Sequence, residues 1–156
     1  MRTSLGTNPT VVGDASVRCQ LVPSLELPAH GSAAARARRF VSETLVEWGI
    51  EDGAIEDCRL LVSELVTNAI LHARSTALVS LERKQRLVRI TVCDESTMEP
   101  RVREYGRDAV TGRGMQLVDR LARRWGVDAR DGGKCVWFEM DAPNGRTTAK
   151  AREAHE

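Results

Sequence analysis

The chain has 156 residues and a formal net charge of +1, so it is long enough for one domain with one sizeable core and too evenly charged to be drawn as a whole onto nucleic acid or anionic lipid. Aromatic residues make up 4% of it, too few for reading bases by stacking. No apolar run approaches the ~20 residues that a membrane span needs.

Residues 1–15 mix Thr, Gly, Asn and Pro with few apolar side chains and read as a tail. They lack the apolar segment of a secretory signal, so a soluble, cytoplasmic protein is expected. Residues 17–25 alternate loosely and suit a strand bounded by Pro23 and Pro28. Ser32 is placed to cap a long helix, AAARARRFVSETLVEW, which Gly49 closes. Its Ala37, Phe40, Val41, Thr44, Leu45 and Trp48 are spaced as one face. The acidic IEDGAIED leads into a second helix, roughly 55–73.

Strands follow over 77–83 and 87–93, joined by a tight KQR turn; Val88, Ile90 and Val92 alternate along the second. DESTMEPRVREYGRDAVTGRG has no clear period. A loop so long inside a domain is uncommon unless it has a job, such as closing over a ligand. MQLVDRLARRW reads as a short helix, and WGVDAR with GGKCVWFEMD as a hairpin around Asp131–Gly133. Residues 142–156 read as a polar tail, which leaves 16–141 as the domain. Strands do not alternate regularly with helices. The expected fold is therefore α+β, a two-layer sandwich with a mixed, mostly antiparallel sheet and helices on one face. Cys19, Cys58, Cys93 and Cys135 form no CxxC pair and sit in apolar runs, so four reduced structural cysteines are expected, with neither a zinc site nor a disulfide framework.

The stretch SELVTNAILH, Ser63 to His72, carries two patterns. Val62, Leu65, Val66, Ala69 and Ile70 form an apolar stripe. Glu64, Asn68 and His72 form a polar line beside it. Residues four apart on a helix stand about 6 Å apart, so a carboxylate and an amide oxygen there can address one small target. An amide oxygen is a hard neutral ligand suited to Mg²⁺, and a carboxylate off the metal can accept a proton. Alone, such a pair is more often the solvated edge of a helix. His72 stands about 12 Å from Glu64 along the axis, too far to share an ion with it, and reads as a packing residue at the margin.

Asp94 ends an apolar strand and can accept a hydrogen bond from an exocyclic amine, or simply begin a turn. Gly112 and Gly114 in TGRGMQLV precede a helix, where bare backbone and free N–H groups suit phosphate. This is neither a P-loop nor a dinucleotide fingerprint, because the glycines come late and no Lys-Ser or Lys-Thr follows. Arg120, Arg123 and Arg124 could meet DNA, but such a cluster is ordinarily a solvated helix face.

Taken together, ExxxN on a helix, a strand-ending Asp, a long loop and GxG resemble the histidine-kinase-like ATPase superfamily, with the Bergerat ATP-binding fold. SELVTNAILHA, VCDES and GRGMQLVDRLARRWGV resemble the bacterial anti-sigma-factor serine kinases, over roughly residues 28–140. The resemblance implies that Asn68 coordinates Mg²⁺, that Glu64 is the general base, and that Asp94 binds the adenine amine. It implies that Gly112, Arg113 and Gly114, with Met115 following, form the glycine box that holds the phosphates; Arg107 rivals Arg113 for the charge. It implies ATP and Mg²⁺ as cofactors, a serine of an antagonist protein as acceptor, a sigma factor as partner, and a homodimer. The family's first glycine box, DxGxG, reads here as Asp94, Glu95, Ser96, Thr97, Met98, with Ser96 and Met98 in place of glycines. Cys135 stands where a threonine commonly supports the adenine. These departures keep open a second reading, a catalytically weak ATP-binding or partner-binding module on the same fold.

Overall fold

The computed structural model describes residues 22–96 and 110–144, with the backbone alone for 110–113. Five strands form a sheet in the order β1-β2-β3-β5-β4, with every neighbouring pair antiparallel. The strands are β1 (Ser24–Leu27), β2 (Ala77–Lys84), β3 (Leu87–Asp94), β4 (Arg124–Arg130) and β5 (Gly133–Asp141). The helices are α1 (Ala33–Glu47), α2 (Asp52–Asn68) and α3 (Val110–Leu121); a π-helical turn, Ala69–Ala73, continues α2. The fold is mixed α/β, a five-stranded antiparallel sheet with helices packed on it, as the element order led one to expect.

Alternation along the strands separates two faces. Val79, Leu81, Val88, Ile90, Val92, Val136, Phe138 and Met140 point to one side, where they meet Val41 and Leu45 of α1, Leu61, Val62, Leu65 and Val66 of α2, and Val118 of α3. Phe138 is fully buried at the centre of this layer. Truncating such a ring to alanine costs about 3–5 kcal/mol, because the site collapses only partly.

Helix α1 ends as its sequence suggests. Gly49 adopts φ 71°, and its N–H donates to the Val46 carbonyl while that of Ile50 donates to Leu45. That pair of bonds is the glycine-terminated helix end in which φ > 0 excludes most other residues. Ser32 takes the N-cap position, but its hydroxyl meets Nδ1 of His30 and leaves the helix N–H groups to other partners.

Four expectations are corrected. The first strand spans Ser24–Leu27, later than the alternating run suggested, and residues 17–21 lie outside the described residues. Helix α3 begins at Val110, so Gly112 and Gly114 belong to its first turns and do not precede it, and it ends before Ala122 because Arg124 already pairs with Glu139 in the sheet. The packed chain also runs past Asp141: Ala142 is buried, its N–H donates to Arg86, and Asn144 bridges to Ile50. Finally, Cys93 and Cys135 face each other on β3 and β5 and are joined in a disulfide. Their 42-residue separation hides a pairing that only the sheet register creates. Cys58 stays a buried thiol, as expected.

Candidate functional site

The two helical patterns of α2 separate cleanly. Its apolar stripe, Leu61, Val62, Leu65 and Val66, is buried against the sheet, while Glu64 and Asn68 are half-buried at the edge. Immediately after Asn68 the backbone widens into the π turn, which ends at Arg74 in the left-handed region at φ 49°. Such turns inside helices are frequent at functional sites, because they re-aim the side chains that follow.

Helix α3 brings Gly114 to this edge. A Cβ at Gly114 would stand 3.1 Å from Oε2 of Glu64, 3.2 Å from its Cβ and 3.3 Å from Nδ2 of Asn68. The bare backbone of Gly114 therefore lies directly on the carboxylate and the amide, and any side chain there would push them away. One point thus joins a carboxylate, an amide and the early backbone of a helix whose N–H groups are oriented toward its start.

Beyond Asn68 a small cavity of about 20 Å³ is lined by Asn68, His72, Asp94, Met115 and Lys134 over an apolar floor of Leu65, Ala69, Val92 and Val136. That is room for about one water. Asp94 is the carboxylate at its far side. Its Oδ1 accepts the backbone N–H of Ser96 at 2.8 Å, and its Oδ2 faces the Lys134 ammonium at 3.7 Å, with the side chains 4% and 13% exposed. Apolar walls with a few convergent polar groups are the usual make-up of a ligand site.

The structure therefore brings Glu64, Asn68, Gly114, Met115 and Asp94 to one edge of the sandwich. Ser96 contributes its N–H to Asp94 and does not line the cavity. The backbone of Gly112 and Arg113 lies in α3, but the Arg113 side chain, Arg107, Thr97 and Met98 lie outside the described residues. His72, placed at the margin from spacing, does line the cavity. Cys135 does not: register puts it on the opposite face, bonded to Cys93, and its neighbours Lys134 and Val136 face the cavity. Lys134 is the residue that sequence reasoning missed. It pairs directly with Asp94 between β3 and β5, and the alternation of GGKCVWFEMD places it on Asp94's side. The basic cluster is also spoken for in part, since Arg123 pairs with Asp141 and Arg124 with Glu139.

A profile described as the histidine kinase-like ATPase domain matches residues 27–140. The chain belongs to that family. No curated protein matches it. Among solved structures, the chain resembles the RsbU and RsbW domains of Rv1364c from Mycobacterium tuberculosis, at 22% identity and a TM-score of 0.61 over 80% of its residues. It spans about a third of that protein's chain, 33%. It also resembles the catalytic domain of the histidine kinase ThkA, at 15% identity and a TM-score of 0.50, covering 76% of this chain and 95% of that one. At such identities the likeness is one of fold. Among the described residues of this ATPase-family chain, no helix is long and apolar enough to cross a membrane.

Proposed function

We propose that the chain binds ATP with Mg²⁺ at the edge of α2 and transfers the γ-phosphate to a serine or threonine of a partner protein, as an anti-sigma-factor kinase does. The observation that carries the reading is the meeting of Glu64, Asn68 and the backbone of Gly114 at one point, with Asp94 across the cavity. The donor set fits the ion: Mg²⁺ is held by one or two protein oxygens and completed by waters and phosphate, so a single amide oxygen at Asn68 is enough. Bound there, the ion neutralises charge on the phosphates.

The chain's own residues do the rest. Glu64 accepts the proton of the incoming hydroxyl. The early N–H groups of α3 receive phosphate oxygens, and the missing side chain at Gly114 lets them approach. Asp94 accepts the adenine amine through the oxygen that now faces Lys134. A match to an ATPase family supports the reading of the chain as an ATP-binding protein. The acceptor protein, the sigma factor and a homodimer follow from the same resemblance.

The deciding experiment is calorimetric titration of ATP with and without Mg²⁺, beside Asn68→Ala and Glu64→Ala. Metal-dependent binding that Asn68→Ala weakens supports the site. Turnover that disappears in Glu64→Ala while binding survives supports the base. Unchanged turnover in Glu64→Ala removes that assignment. A second reading, a partner-binding module with little catalysis, is favoured by the small cavity and by the lysine already set against Asp94. Absence of binding at millimolar ATP in folded protein would select it.

A further inference from the structure

The face of the sheet away from the helices carries a second chemical centre. Cys93 and Cys135 stand opposite each other on β3 and β5 and are bonded through their sulfurs. Each adjoins a cavity residue: Cys93 precedes Asp94, and Cys135 follows Lys134. Because successive side chains point to opposite faces, the cross-link lies directly behind the Asp94–Lys134 pair.

The cysteines differ in access. Cys135 is 2% exposed, whereas Cys93 is half-buried and lines an open groove of about 340 Å³ with Glu26, Leu78, Arg130 and Gly132. Cys58 is shut inside α2's packing, and burial, with Asp57 adding to it, pushes its thiol up to about 12. Its thiolate is scarce at neutral pH, so it is inert toward exchange.

The strand ends at this cross-link also set the cavity's far wall. A Cβ at Gly133 would stand 2.1 Å from the Asp94 carbonyl oxygen, so β5 begins pressed against the end of β3. With the bond in place the cavity holds about one water. Asp94 and Lys134 face each other across 3.7 Å in that cavity, and the covalent bond behind them ties together the two strands that carry them.

We propose that Cys93–Cys135 is a thiol–disulfide exchange site whose redox state governs nucleotide entry on the opposite side of the sheet, with reduction as the permissive state. The proposal rests on the ATP reading above. A thiolate of a dithiol reductant reaches Sγ of Cys93 through the groove and forms a mixed disulfide. The Cys93–Cys135 bond breaks, and Cys135 departs as a thiolate that takes up a proton. The reductant's second thiol then attacks the mixed disulfide, leaving Cys93 as a thiol and the reductant as a disulfide. Two electrons and two protons pass to the protein. A small-molecule disulfide runs the sequence in reverse and restores the bond.

The test uses the full chain, oxidised with oxidised glutathione or reduced with a phosphine. The state is verified by alkylation of Cys93 and Cys135 and by the mass of two hydrogens. Mg²⁺-ATP is then titrated into each form by calorimetry. The reduced form is expected to bind about tenfold tighter, a difference of roughly 1.4 kcal/mol. The double variant Cys93→Ser/Cys135→Ser is expected to bind like the reduced form under both conditions, while Cys58→Ala keeps the full response. Equal affinity in two verified states overturns the proposal and leaves the ATP site standing, as does an oxidant that fails to protect Cys93 and Cys135 from alkylation. Absence of binding in every form overturns the ATP reading and this one with it. Comparison of the two wild-type states decides the matter even if the double variant fails to fold.

Discussion

The two faces of the sheet are made from alternate residues of the same strands, and each holds one deeply buried carboxylate side chain, the two in opposite ways. On the open face Glu139 is 1% exposed, and its two oxygens accept N–H groups from Arg89 at 3.0 and 2.8 Å and from Arg124 at 2.9 and 2.6 Å. Arg89 also lies 4.1 Å from the centre of the Trp137 ring, which in turn covers Gly126. On the helix side, Asp94 accepts one backbone N–H and faces Lys134 across 3.7 Å, beyond hydrogen-bonding distance. A carboxylate with every lone pair engaged joins strands and does little else. One with an oxygen still able to accept a donor is equipped to receive a ligand.

This contrast yields tests in descending size. Glu139→Ala attacks the saturated side and is expected to lower stability by about 2 kcal/mol in urea denaturation, with ATP affinity unchanged. The figure sits below that for a fully buried pair because Arg124 is largely exposed and can turn to water. A loss of affinity as large as the loss of stability would break the contrast. Asn68→Ala attacks the other side: ATP affinity in Mg²⁺ is expected to fall about tenfold, while the urea midpoint barely moves.

Acid provides a finer test. Burial alone would raise the Glu139 carboxyl, but hydrogen bonds and charge from Arg124 and Arg89 outweigh it and hold the group below its ordinary 4.5. A depressed value means that the folded state binds the proton less readily than the unfolded chain. The resulting stability is present in full above the ordinary value and is lost as pH falls through the lower, folded one. Urea midpoints measured from about pH 6 down to about pH 3 should therefore decline, and less steeply in Glu139→Ala. The smallest effect is expected from Arg123→Ala. Its pairing with Asp141 is exposed on both sides, so its loss should cost less than about 0.5 kcal/mol.

Much of this division was legible in the sequence because it rests on local periods. The stripe and polar line of α2, the alternation of LVRITVCD and the closing hairpin at Asp131–Gly133 each follow from spacing alone. What stayed hidden was non-local. Nothing near Cys93 announces Cys135, and Lys134 becomes a cavity residue only once β5 pairs with β3. The start of α3 was obscured for a related reason. Gly112 and Gly114 discourage a helix locally, and the close approach to Glu64 and Asn68 explains why Gly114 is tolerated inside one. The π turn after Asn68 left no mark on the spacing of AILHA.

The end of the sandwich far from the cavity has a practical consequence. Leu81 donates its N–H to the Pro23 carbonyl, and Arg83 reaches both the Trp48 carbonyl and the side chain of Asn144. Val22 and Asn144 thus both lie at the end where α2 starts, whereas Asn68 is the last residue of that 17-residue helix. At 1.5 Å per residue that is about 25 Å of helix. A dye or a surface tether placed at Val22 or Asn144 would leave the mouth of the cavity facing outward, and a dye pair, one there and one on the nucleotide, would report binding as a fixed distance.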